Sequence, residues 1–144
     1  MSVAHILKKK GRNVITVGPG QTLHEVASLL AKHRIGAVIV STGGGGISGI
    51  ISERDVVRVL AEAGASALSR PAQDFMTVKV RTCTPHDSEQ HLMSLMTEHR
   101  IRHLPVLENG RLAGMISIGD VVKLRIESIE SEAEQMKSYI ATAG

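Results

Sequence analysis

Two tetrads in this chain have the side chains and spacing to cap a helix and place a carboxylate at its start. They are Ser52-Glu53-Arg54-Asp55 and Ser117-Ile118-Gly119-Asp120. Each follows a glycine and two apolar residues, Gly49-Ile50-Ile51 and Gly114-Met115-Ile116. An N-cap serine accepts from the backbone N–H three residues on, and an acidic residue there can return a bond to the cap. Capping alone explains one such tetrad. Two of them behind the same strand pattern point to a shared role, and a serine that caps a helix can also face a ligand.

Other chemistry is thin. Gly44-Gly45-Gly46-Ile47-Ser48-Gly49 formally matches G-x-G-x-x-G, but that fingerprint must follow a strand and open a helix, and here a strand follows. No P-loop ending is present. His99 and His103 are four apart, a metal-like spacing on a helix, but the helix should end near Arg100 and separate them; no metal is expected. His33 and His99 read as helix-end residues, favoured at the negative end of the dipole. Cys83 has no evident base partner and reads as a small buried apolar residue. No Ser/His/Asp arrangement or carboxylate pair forms a catalytic set, so the chain is not read as an enzyme.

The elements that must position the tetrads come from an internal repeat. With Val14 laid on Val80, Thr16 meets Thr82, Pro19 meets Pro85, His33-Arg34-Ile35 meets His99-Arg100-Ile101, and Val40 meets Val106 without a gap. One residue dropped in the glycine run restores the register, pairing Gly49 with Gly114 and Asp55 with Asp120. Each copy reads as βαββα: a strand at Val14–Val17, a helix from Thr22 with Glu25 in capping-box spacing, a buried strand at Ala37–Val40, a strand at Ile47–Ile51, and a helix from about Arg54 to Gly64. In the second copy Asp87 with Gln90 is the expected cap, Leu104–Leu107 and Leu112–Ile116 the matching strands, and the last helix runs from Asp120 past Ile129. Leu23, Val26, Ala27 and Leu30 mark one helical face. Gly43–Gly46 and Glu108-Asn109-Gly110 are hairpin turns. Ala4–Leu7 reads as a short apolar turn ahead of the first copy, echoed by Ala72–Met76 ahead of the second. The stretch around Gly64 and Pro71 reads as a linker. One such unit has too small a core for easy independent stability, so the class is α+β, with two repeats packed in pseudo-twofold fashion and their sheets flanked by helices.

Composition agrees. Of 144 residues 42% are apolar but only 1% aromatic, so the core is aliphatic and there is no stacking platform for single-stranded nucleic acid. The net charge of +3 draws on Lys8, Lys9, Lys10 and Arg12, a run that reads as a solvated face, with phosphate contact as the alternative. One cysteine excludes an intrachain disulfide and fits a reducing cytoplasm. No apolar run approaches the ~20 residues of a membrane span, and no signal peptide is evident.

The doubled unit, the His-Arg-Ile turns, Ile101-Arg102-His103-Leu104-Pro105-Val106, and the two Gly-apolar-apolar-Ser-x-x-Asp endings make the chain similar to a tandem CBS-domain pair, or Bateman module, of the bacterial stand-alone type. The likeness spans about residues 3 to 130, with repeats at 3–64 and 72–129 and a helical extension at 130–144. It implies a regulatory module that binds an adenosyl ligand in a cleft between the repeats: AMP, ADP, ATP, NAD(H) or S-adenosylmethionine. No further cofactor is required. The motif aspartates, Asp55 and Asp120, would accept the ribose hydroxyls, with Ser52 and Ser117 beside ribose or phosphate. Adenine would pack against the first strands (Thr16; Lys79, Val80, Thr82) and the strands after the first helices (Ala37, Val38; Leu104, Pro105). Ile51, Ile118 and Gly119 complete the set. A carboxylate suits a vicinal diol because it only accepts hydrogen bonds, and helix starts favour anions. Arg54 stands beside the first motif, and Arg102 and His103 are expected beside the second, where the first copy has only Gly36 and Ala37. The two sites should therefore differ in phosphate affinity.

The family's habit of pairing implies a homodimer, and a partner protein must read the signal. The tail, with Ile129, Ala133, Met136 and Ile140 on one face, packs on the chain itself or on a dimer partner. The alternatives are an interaction module without a ligand and a nucleic-acid-binding protein using the Lys8–Arg12 run.

Overall fold

The computed structural model describes residues 1–143; Gly144, at the end of the expected extension, lies outside the described residues. Helix α2 (Leu23–His33) starts where Thr22 accepts from the Glu25 N–H at 3.2 Å. Glu25 does not return the bond, because its carboxylate accepts from the Gln21 amide at 2.9 Å. Helix α4 (Glu89–His99) is capped by Ser88, which accepts from the His91 N–H, and not by Asp87 as expected. The register explains this: Ser88 is the counterpart of Thr22. Asp87 instead accepts from the Thr84 N–H at 2.8 Å and tightens the preceding turn.

Both helices stop on an arginine in the left-handed conformation, Arg34 and Arg100, each at φ 53°. The chain turns back so that the N–H groups of Ile35 and Ile101 reach the Leu30 and Met96 carbonyls, each at 3.1 Å. The His-Arg-Ile motif is thus a helix stop that hands the chain to a strand.

The first repeat carries a three-stranded sheet of β1 (Thr16–Val17), β2 (Ala37–Val40) and β3 (Gly49–Ser52), parallel then antiparallel. β1 and β3 are shorter than the apolar runs suggested. The second repeat pairs only β4 (His103–Glu108) with β5 (Arg111–Ser117). Its expected first strand at Val80–Cys83 shrinks to one parallel bridge, Cys83 to Val106. Pro105 is the reason. In the first repeat Ile39 donates to the Ile15 carbonyl; Pro105 holds the place of Ile39 and has no N–H. The bonds that remain run from Cys83 N–H to Pro105 at 2.9 Å and from Leu107 N–H to Cys83 at 2.8 Å.

Helix α3 (Glu53–Ala63) follows β3 and ends at Gly64, and α5 (Ile118–Ala143) follows β5 as one helix. Glu89, 5% exposed, accepts from Ser128 at 2.7 Å and from Arg125 at 3.3 Å, tying α5 to α4. The linker is not slack: it forms two short 3₁₀ turns, Ala65–Ser69 and Ala72–Asp74, with Ala67 and Ala72 buried.

Each repeat has its own aliphatic core, and the leading segments are exchanged between them. Ala4–Leu7 is no turn but part of helix α1 (Val3–Lys10). Val3, Ile6 and Leu7 join Leu92, Leu104, Ile116 and Val121 in the core of the second repeat. Phe75 and Met76, which precede the second repeat, pack against the core of the first, the cluster that contains Leu23, Val38 and Ile51. The motif glycines are the docking points. A Cβ on Gly114 would stand 2.5 Å from Leu7 Cδ2, and one on Gly49 2.6 Å from Met76 Sδ. Backbone bonds from Val3 to Asp87 and from Ala4 to Pro85, both 2.9 Å, fix α1 in place.

Cys83 is 2% exposed, and burial followed by the nearby Asp87 charge pushes its thiol up to about 12. Since the thiolate is the reactive form, a thiol reagent at mildly alkaline pH should label the native protein only as fast as it opens. Labelling at the rate of a free thiol would contradict this burial.

Two clefts between the repeats

Helix α3 begins with a complete capping box. Ser52 Oγ accepts from the Asp55 N–H at 3.3 Å, and Asp55 Oδ2 accepts from the Ser52 N–H at 2.8 Å. The other oxygen, Oδ1, accepts from Arg58 at 3.0 Å. Ser117 and Asp120 repeat the box at the start of α5, at 3.2 and 2.9 Å. Each helix start is pinned to the segment after the helix stop of its own repeat, in matched fashion: Glu53 N–H donates to the Gly36 carbonyl at 2.9 Å, and Ile118 N–H to the Arg102 carbonyl at 2.8 Å.

A cavity of about 390 Å³ opens at the first box. The first repeat supplies Gly36, Ile50, Ser52, Glu53, Arg54 and Asp55, and the second supplies Thr77, Lys79–Arg81 and His99–His103. A second cleft of about 330 Å³ uses the equivalent surfaces with the repeats exchanged: Asn13–Ile15 and Arg34–Ala37 from the first, Met115 and Ser117 from the second, with Lys10 and His103. Each cleft therefore combines the motif serine at the end of one repeat's last strand with the leading segment and helix stop of the other.

This cross-construction relocates Arg102 and gives His103 a second role. Both were expected beside the second motif; both line the cavity of the first, with Ser52, Arg54 and Asp55. His103 also pairs with Ser117 across β4 and β5 and forms part of the wall between the two clefts. Its ring stands over Gly36, where a Cβ would lie 2.7 Å from Cε1, so the close approach requires glycine. Burial lowers the His103 pKa below its ordinary value, although Glu53 pulls it up, so the ring faces the cavity largely neutral near pH 7.

Of the expected residues, the first cavity gathers Ser52, Arg54, Asp55, Lys79, Val80, Arg102 and His103, and the second cleft gathers Ala37, Ser117 and His103. Val38, Ile51 and Leu104 are fully buried in the cores and Pro105 is buried. Thr16, Thr82, Ile118 and Gly119 line neither cleft. Asp120 opens instead onto an adjoining groove of about 260 Å³ beside His5, Lys9, Lys10 and Lys123. Sequence reasoning missed Arg81 and Arg100 in the first cavity; the repeat register contained the signal, since they oppose Ile15 and Arg34 of the second cleft. The first cavity thus holds five cationic side chains against two carboxylates.

The basic run near the N-terminus is also placed. Lys9 pairs with Glu127 at 3.0 Å, Lys10 with Asp120 at 2.7 Å, and Arg12 with Glu108 at 3.0 Å. Among the described residues no helix is long and apolar enough to cross a membrane.

Comparison with known proteins follows the same division. The CBS-domain family profile matches residues 3–62 and again 72–127. The mitochondrial CBS domain-containing protein CBSX3 of Arabidopsis thaliana is 32% identical over 147 residues, covering 96% of this chain and 71% of that protein. The crystal structure of the CBS-domain protein ATU1752 from Agrobacterium tumefaciens superimposes with a TM-score of 0.84 at 47% identity, covering 87% of this chain and 99% of that one. The CBS domain protein PAE2072 from Pyrobaculum aerophilum, solved complexed with AMP, aligns with a TM-score of 0.73 at 28% identity, over 83% of this chain and 89% of that one. With two matched repeats and two clefts built across them, the chain belongs to the CBS-domain family as a tandem pair.

Proposed function

We propose that this chain is a regulatory module, without catalysis of its own, whose first cleft binds a phosphate-bearing adenosyl nucleotide of the AMP, ATP or NAD type. The observation that carries this reading is the first cavity: a carboxylate at a helix start faces five cations within one space of about 390 Å³, a volume in the range of small-ligand sites. Asp55 suits a ribose diol; Arg54, Lys79, Arg81, Arg100 and Arg102 suit phosphate oxygens. The AMP complex of PAE2072 supports the ligand class. The same charges disfavour S-adenosylmethionine, whose sulfonium is cationic. Ligand would act by preferring one arrangement of the two repeats.

The module is read as a homodimer in a reducing compartment such as the cytoplasm. Supporting this, α3 exposes Val57 at 67% and α5 exposes Val122, Ile126 and Ile129 at 42–51%, an apolar surface suited to a second copy. The repeats at 3–64 and 72–129, with the extension beyond, are its working units. Binding to nucleic acid is not favoured, because Lys9, Lys10 and Arg12 already face carboxylates.

Calorimetric titration with AMP, ATP, NAD, adenosine and S-adenosylmethionine tests this reading. Affinity should follow negative charge and weaken with added salt. AMP at about 100 times its dissociation constant should add about 2.7 kcal/mol to the unfolding free energy. No heat and no melting shift with any of the five compounds would falsify it.

A further inference from the structure

We propose that Lys10 is a resident occupant of the second cleft: its ammonium holds the carboxylate of Asp120 that a ribose would otherwise take, so that the two clefts fill in order, the first before the second. The inference rests on the nucleotide reading of the clefts and adds a residue from outside both tetrads to it.

Four observations support it. Lys10 Nζ donates to Asp120 Oδ2 at 2.7 Å and to the Met115 carbonyl at 3.0 Å. In the first cleft the carboxylate is held only from outside the cavity: Asp55 Oδ1 accepts from Arg58 of the same helix at 3.0 Å, Arg58 does not line the cavity, and the carbonyl of Ile50, the counterpart of Met115, accepts the backbone N–H of Thr77 at 2.9 Å. There the leading segment runs extended beside β3, whereas the leading segment of the first repeat stays helical to Lys10 and only its last side chain reaches across. Second, Lys10 divides the space. Ser52 and Asp55 share one cavity, but Ser117 lines the second cleft while Asp120 lines only the adjoining groove, and Lys10 borders both. Third, burial raises the pKa of Asp120, but the Lys10 bond and the Ser117 backbone bond outweigh it and hold it below the usual carboxylate value. Asp120 is therefore a charged partner at neutral pH. Fourth, the anchor is firm: Leu7, one turn earlier on α1, is 2% exposed over Gly114.

A ligand that spreads a diol across both oxygens of Asp120 must displace Lys10 from Oδ2. Once released, the ammonium is free to meet a phosphate. A neutral adenosyl compound has nothing to offer it, and for such a ligand the displacement is a net loss. The second cleft is thereby selective against uncharged ligands as well as weaker overall.

The test titrates adenosine and AMP into Asp55→Ala, Asp55→Ala/Lys10→Met and Asp55→Ala/Lys10→Arg, so that the first cleft is weakened and the second is read. Lys10 is the last residue of an anchored helix with its side chain 41% exposed, and circular dichroism checks that the variants fold. Lys10→Met should tighten adenosine about tenfold, the scale of one charge-assisted bond no longer broken; Lys10→Arg should not. Unchanged or weaker adenosine binding in Lys10→Met overturns the proposal. A second readout needs no ligand: the Asp120 carboxylate, followed by NMR, should titrate at higher pH in Lys10→Met than in the parent. An unmoved titration removes the ion pair, and the proposal with it, even if the first cleft binds nucleotide. Absence of binding by any adenine compound, with the titration moved as expected, would instead overturn the nucleotide reading and leave Lys10 a structural partner, which also overturns its role as occupant.

Discussion

Deletion of residues 1–10 should unfold the second repeat while the first retains its structure longer. Val3, Ile6 and Leu7 are 0%, 6% and 2% exposed, and all three sit in the second core. Burying each such side chain contributes roughly 1.5–3 kcal/mol, so their joint loss is comparable with the ~5–15 kcal/mol that holds a whole domain folded. The deletion also strips the partners from Asp120 and Glu127, but exposed ion pairs contribute little, so the apolar loss decides the outcome. Hydrogen exchange checks the location. Amides of α4, β4 and β5 should lose protection first, although they lie far along the chain from the cut. A smaller version is Leu7→Ala, expected to cost ~2–5 kcal/mol. If protection fell first in α2, β2 and β3, the exchange of leading segments would be refuted.

Asp55→Ala should weaken AMP at the first cleft by about 10- to 100-fold, the range for removing a hydrogen-bonded charge worth ~1.5–3 kcal/mol. Part of the change falls on stability, because Asp55 completes the capping box of α3; loss of a cap costs about 0.5–2 kcal/mol. The two effects separate experimentally. Glu53→Ala removes a neighbouring carboxylate on the same helix turn while leaving the box intact, and should not weaken AMP. Asp120→Ala disrupts the matching box on α5 and should leave the first cleft's affinity near that of the parent. Calorimetry of the three variants decides the matter, and wild-type affinity in Asp55→Ala would remove the ribose role.

The repeat, the helices and both Ser-x-x-Asp boxes were legible because they depend on spacing within a few residues. Capping, the helix stop at Arg34 and Arg100, and the start of α3 at Ser52 are local chemistry. The register between the copies was legible too, and read more strictly it holds more: it points to Ser88 as the cap of α4 and to the donor missing at Pro105. What could not be read was which repeat each cleft residue serves. Arg102 and His103 lie nearer in sequence to the second motif, so proximity assigned them there. The structure turns Arg102 to the first cavity and sets His103 on the wall that both clefts share, because each cleft is built across the repeats. The position of α1 was hidden for the same reason. Ala4–Leu7 precedes the first repeat, and nothing local shows that Leu7 fits the space left by Gly114. Lys10 then looked like one of several solvated lysines, although it reaches Asp120, 110 residues away.

That separation has a consequence during synthesis. The ribosome delivers α1 well before β4 and β5, the strands that cover it. At ~5–20 residues per second, the apolar side of α1 waits about 5–20 s before β5 exists to receive it. The first repeat can close as soon as Phe75 and Met76 emerge, so the nascent chain passes through a stage with one half folded and its own leading helix unattached. The adjacent Lys8, Lys9 and Lys10 keep that waiting helix charged and discourage it from sticking to other nascent chains. Completion of the fold is then the capture of an early-made helix by strands made much later.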